Sequence, residues 1–157
     1  MKIIYKVFTS IVIIAVVSAL TVPVVFGQSA SDPQFKVRID FNRWHDVPEL
    51  YADMERMQKA WPKFLKLESI GKSYNGYDIM LMTINNPDTG PEMNKTGMYI
   101  EANVHGNEIQ GCEVCLYTIW YLMENYGRID NITRLVDERV FYVCPTVNPD
   151  GHQYFME

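Results

Sequence analysis

Apolar residues along this chain follow three rhythms, and each predicts a different kind of element. The first has no period. No charged residue occurs from Val7 to Ser31, and Ile11, Val12, Ile13, Ile14, Val16, Val17 and Leu20 form an apolar run behind Lys2 and Lys6. That arrangement reads as an export leader, with small Gly27, two residues after Val25, marking a cleavage site before Gln28. An uncharged stretch of 25 residues is also long enough to span a bilayer, so an uncleaved amino-terminal anchor stays open. Both readings place the rest of the chain outside the cytoplasm. A short polar segment, residues 28–40, follows the leader (residues 1–27).

The second rhythm is helical. Asp46 with Glu49 three residues on is a capping-box spacing and Pro48 suits a first turn; Leu50, Met54, Met57 and Trp61 then recur at helical intervals until Pro62. Further on, Ile109, Cys112, Leu116, Ile119, Trp120 and Met123 predict a long helix ended by Gly127, and Ile132 to Asp137 a shorter one. The third rhythm is that of strands. Phe64 to Ile70 and Asp78 to Ile84 flank Asn75-Gly76, a tight-turn signal, and so predict an antiparallel hairpin. Asn86 to Lys95 has no period and reads as loop. Met98, Ile100, Ala102 and Val104 alternate as a half-buried strand, and Val140 to Cys144 forms another, closed by the turn residues Asn148-Pro149-Asp150-Gly151. A strand, a helix and a strand in that order imply a parallel pair with a right-handed crossover.

Composition narrows the class. The chain has 157 residues, 48% hydrophobic and 21% charged, which fits one packed domain or part of one. Its net charge is −5, and −7 without Lys2 and Lys6, which argues against a nucleic-acid partner or an anionic-membrane surface. Contact with a membrane is expected only through an uncleaved leader. Cys112, Cys115 and Cys144 are an odd number, which excludes a complete disulfide framework. Cys112 and Cys115 fall inside a helical pattern with no second pair to complete a zinc ribbon, so buried helix thiols are expected. Asn94-Lys95-Thr96 and Asn131-Ile132-Thr133 match the glycosylation sequon, which matters only in a eukaryotic source.

The chemistry concentrates where the Met98 to Val104 strand runs into His105-Gly106-Asn107-Glu108 and the long helix begins. In sheets with parallel strands, ligands collect at carboxyl ends of strands. An imidazole and a carboxylate three residues apart across a helix start can turn towards one point, and both are zinc-ligand types. The plain alternative is a histidine hydrogen-bonded at a strand end and a glutamate favoured by the helix dipole. Spacing and placement alone leave the two open.

Taken in order, Ile70-Gly71-Lys72-Ser73 with Gly76, the strand from Met98, His105-Gly106-Asn107-Glu108, and Val147-Asn148-Pro149-Asp150-Gly151 resemble the zinc metallocarboxypeptidases, from about Phe41 to Phe155. The resemblance implies an α/β fold, three layers of α/β/α around a mixed parallel and antiparallel sheet, with residues 41–157 as the amino-terminal part of the catalytic domain. It implies zinc as cofactor, His105 and Glu108 as the first two metal ligands, and hydrolysis of the last peptide bond of a peptide or protein substrate. In the carboxypeptidase A type of site a second histidine and a water complete the coordination. The resemblance puts that histidine, the general-base glutamate, the oxyanion-stabilising arginine and the clamp for the substrate carboxylate beyond Glu157. No general base or arginine of the catalytic set is therefore expected within these residues, and the chain alone is expected to be inactive. His152 does not match the downstream ligand, and His45, ahead of the first helix, is expected at the surface or as a cap.

Asn107 holds an amide, as in regulatory and many bacterial members, where digestive members carry an arginine. The dozen or so residues between Gln28 and the start of the resemblance are too few for a folded inhibitory prosegment. Tyr77 stands where a basic residue often follows Gly76, a change without functional account. Two other readings remain: an exported or membrane-anchored binding domain that keeps the fold without the chemistry, and a related peptidase acting on cell-wall peptides. Neither the oligomeric state nor the side chain preferred at the substrate terminus is written in these residues.

Overall fold

Asp46 opens the first helix as its spacing predicts. In the computed structural model, which describes residues 35–157, the Asp46 carboxylate accepts from the Glu49 backbone N–H at 2.9 Å and the Glu49 carboxylate accepts from the Asp46 N–H at 3.2 Å. Two orphan donors at the start of helix α1 (Val47–Ala60) are thereby satisfied. Val47, Leu50, Met54 and Met57 are its buried stripe, and the helix ends just before Pro62. The leader and most of the polar segment lie outside the described residues.

Strands β1 (Leu65–Lys72) and β2 (Asp78–Ile84) form the expected antiparallel hairpin, with Gly76 in the turn at φ 89°. A register irregularity between Ser69 and Lys72 lets β1 run two residues past the expected end. The aperiodic stretch after β2 contains two single 3-10 turns, Pro87–Thr89 and Glu92–Asn94. Asn86 caps the first through its side chain, and the Lys95 ammonium donates to Asn85 Oδ1, the Asn86 carbonyl and Thr89 Oγ1 at 2.7, 2.7 and 2.8 Å.

The remaining elements are β3 (Thr96–Glu101), α2 (Ile109–Asn125), α3 (Asp130–Glu138), β4 (Arg139–Cys144) and α4 (Pro149–Met156). The sheet order is β1-β2-β4-β3, antiparallel except for β3 beside β4, so the expected parallel pair and its helical crossover are present in a mixed α/β fold. Register places Leu67, Met82, Val143 and Ile100 in one row across the sheet. These residues pack into one core with Leu50, Met54 and Met57 of α1 and Cys112, Leu116, Ile119 and Met123 of α2. Helices α1 and α2 therefore cover the same sheet face. Row alternation puts Lys66, Thr83, Tyr142 and Tyr99 on the other face.

Two expectations need correction. The strand beginning near Met98 was expected to be half-buried through Val104; it stops at Glu101, and Met98 is 53% exposed. Among the described residues β3 is an edge strand, paired only to β4. The Asn148-Pro149-Asp150-Gly151 segment does not merely close β4, because it opens a helix. Asn148 accepts from the Gly151 N–H at 3.0 Å as the cap of α4, and Pro149 takes the first helical position, where its missing N–H costs nothing.

The cysteines are free and buried, as expected for helix and core thiols. Burial pushes the Cys112 thiol up to about 12 and those of Cys115 and Cys144 to about 11, so all three stay protonated and unreactive.

Candidate metal centre

Strand pairing between β3 and β4 continues one residue beyond the strand, as the Ala102 N–H donates to the Cys144 carbonyl at 3.2 Å and the Ala102 carbonyl accepts from Val147 at 3.1 Å. At Asn103 the chain turns off the sheet with φ 59°, the one left-handed non-glycine residue among those described. Val104, His105, Gly106 and Asn107 then run outside the sheet until α2 begins after Glu108. The turn is thus what delivers His105 to the carboxyl end of a parallel strand and Glu108 to the start of a helix.

His105 Nδ1 lies 3.2 Å from Glu108 Oε1, with the side chains 76% and 48% exposed. The structure brings the two sequence-derived candidates together and leaves them accessible to solvent. A nitrogen and a carboxylate oxygen this close are spaced as two donors can be around one zinc ion with bonds of about 2.0–2.2 Å. The donor set therefore fits zinc, as two of its ligands. Among the described residues no group of three or more His, Cys, Asp or Glu is arranged to hold a metal.

The loop rests on the start of α4 so closely that glycine is required on both sides. A Cβ on Gly106 would sit 2.3 Å from the Gly151 carbonyl carbon, and one on Gly151 would lie 3.0 Å from the Gly106 Cα. Asn148 Nδ2 donates to the Val104 carbonyl at 3.1 Å, so the cap of α4 also holds the loop. Asp150 reaches the other way, accepting from the Ser73 hydroxyl at 2.6 Å and the Asn75 N–H at 3.0 Å. The hairpin turn, the α4 start and the His105 loop are one connected unit.

The other two histidines lie elsewhere. His45 is only 1% exposed, which overturns the expectation of a surface or capping residue. Its backbone N–H donates to Glu113 Oε1 at 2.8 Å and its Nδ1 faces Glu113 Oε2 at 2.9 Å. Its Nε2 lies 3.3 Å from Asp53 Oδ2 without hydrogen-bond alignment, and Asp53 is paired in turn with Arg56 at 3.0 Å. The sequence reading missed this cluster because Asp53 and Glu113 sit on different helices, 60 residues apart, and each alone looks like an ordinary helix-surface charge. His152 is fully buried, its Nε2 3.0 Å from the His45 carbonyl and its Nδ1 3.5 Å from Cys112 Sγ. Burial holds its pKa below the ordinary histidine value, so the neutral ring donates through Nε2–H to the His45 carbonyl and accepts a hydrogen bond from the Cys112 thiol at Nδ1. Both ring nitrogens are engaged within the core.

The fold is thus a mixed α/β domain that brings a histidine and a glutamate together at a strand-to-helix junction. The model of the family described as zinc carboxypeptidase matches residues 50–157, and the chain belongs to that family. It is similar to human carboxypeptidase D, 30% identical over 145 residues that cover 92% of this chain and 10% of that protein. It is also similar to the inactive metallocarboxypeptidase ECM14 of Saccharomyces cerevisiae, 26% identical over 116 residues covering 73% of this chain and 26% of that one. Among solved structures, thrombin activatable fibrinolysis inhibitor superposes with a TM-score of 0.66 at 27% identity over 71% of this chain and 27% of its own. The chain thus spans about a tenth to a quarter of the length of these relatives.

Proposed function

We propose that the full-length protein is an exported zinc-dependent exopeptidase that removes the carboxyl-terminal residue from peptides or proteins. The observation that carries this reading is the convergence of His105 Nδ1 and Glu108 Oε1 within 3.2 Å, inside the stretch matched by the zinc carboxypeptidase family. Zinc held there would supply a Lewis acid for the scissile carbonyl and lower the pKa of a bound water. His105 contributes a neutral nitrogen at Nδ1, which requires its ring proton on Nε2. Glu108 contributes a negative charge beside the amino-terminal end of α2, where the helix dipole favours it. Residues 28–157 then form the start of the secreted enzyme, the leader being removed before Gln28; amino-terminal sequencing of exported material checks this, and an intact Met1 in the membrane fraction means an anchor instead.

The similarity to a yeast protein named as inactive favours one alternative, a binding domain that keeps the fold without catalysis. Incubating the full-length protein with a defined peptide and reading products by mass spectrometry separates the two. Loss of single carboxyl-terminal residues, abolished by a chelator and restored by zinc, is expected. An unchanged peptide in the presence of stoichiometric bound zinc supports the binding domain.

A further inference from the structure

We propose that Asn103 is a positioning residue that holds both candidate ligands, His105 and Glu108, in their zinc-binding arrangement; the inference rests on the zinc reading above. The side chain of Asn103 is buried, and each of its hydrogen bonds goes to the loop or to its anchor. Nδ2 donates to the His105 carbonyl at 3.0 Å and to the Gly106 carbonyl at 3.1 Å. Oδ1 accepts from the hydroxyl of Thr146, itself buried, at 2.9 Å. Carbonyls only accept, so the two contacts on the loop side must be made by the amide nitrogen, and this fixes the orientation of the amide.

The His105 carbonyl is the point at which the two ligands become coupled. It accepts from Asn103 Nδ2 and also from the Glu108 backbone N–H at 3.0 Å. One acceptor thus ties the His105 peptide to Asn103 on one side and to the Glu108 backbone on the other. The His105 and Glu108 side chains are 76% and 48% exposed, so the core does not enclose them. The buried Thr146–Asn103 pair therefore supports their backbone directly, beside the Gly106–Gly151 contact with α4, and anchors it to the segment after β4.

Left-handed backbone suits asparagine better than most residues, and glycine best of all. Asn103→Gly therefore keeps the φ of 59° while removing every side-chain hydrogen bond. Outer-shell partners of metal ligands typically contribute 10–100-fold to metal affinity. In the full-length protein, Asn103→Gly is expected to raise the zinc dissociation constant by roughly 10–100-fold in competition with a chromophoric chelator. This is measured well below the melting temperature of the apo-protein. Thr146→Val leaves the Nδ2 bonds in place but frees Oδ1, so a smaller weakening in the same direction is expected, and it serves as the test if the glycine variant fails to fold. Folded variants that bind zinc within twofold of wild type overturn the proposal and reduce Asn103 to a structural turn residue. If His105→Ala in the same assay leaves zinc binding unchanged, the metal is not held at His105, and the reading on which the proposal depends fails with it.

Discussion

His105→Ala in the full-length protein is expected to eliminate stoichiometric zinc and, with it, any removal of carboxyl-terminal residues. Glu108→Ala should behave in the same way. Losing a direct ligand should cost more than the roughly 10–100-fold in affinity that loss of an outer partner costs. The His105 side chain is 76% exposed and that of Glu108 48%, so neither is a core residue and the apo-variants should melt close to the wild-type apo-protein. That separation between metal loss and retained fold is the signature of a ligand. Equilibrium dialysis with metal analysis, alongside thermal melting without metal, checks it, and full zinc occupancy in either variant ends the assignment.

Glu113→Ala should give the opposite signature, a large loss of fold stability. Glu113 accepts the His45 backbone N–H and faces His45 Nδ1 in a site where His45 is 1% exposed and the Glu113 side chain 13%. Truncation leaves a buried amide and a buried ring nitrogen without that partner, while Asp53, whose side chain is 10% exposed, stays beside the ring. Removing one member of a buried polar pair of this kind costs about 3 kcal/mol, because the remaining groups are desolvated without compensation. His45 also accepts at its carbonyl from His152, so the disturbance should reach α4, on which the His105 loop rests. Denaturant unfolding of the metal-free protein measures it. A change below about 0.5 kcal/mol, the size typical of surface substitutions, would show that Glu113 is no more than a solvated surface charge.

What the sequence by itself determined is local or periodic. The capping box of Asp46 and Glu49, the Asn75-Gly76 turn, the helical stripe from Ile109 to Met123 and the alternation of β4 each follow from residues within one or two turns of each other, and they define the α/β class. The ordered motifs single out His105 and Glu108 as candidates, whereas their spacing alone leaves the metal reading open; the turn at Asn103, between the end of β3 and the start of α2, is what brings them together. Strand limits and burial were less legible. Met98 alternates like a buried strand residue, yet how much it is covered depends on what lies beside an edge strand, which no local pattern encodes. The same holds for His45, Asp53 and Glu113: each is a polar residue of unremarkable surroundings in sequence, and only the packing of the helices against one another brings them together and buries His45 between the two carboxylates. Asn103 is the instructive intermediate, since asparagine at a strand end hints at a left-handed turn. Only the fold brings Thr146, 43 residues away, to the other end of its amide, because hydrogen-bond partners across a sheet are chosen by strand pairing and not by distance along the chain.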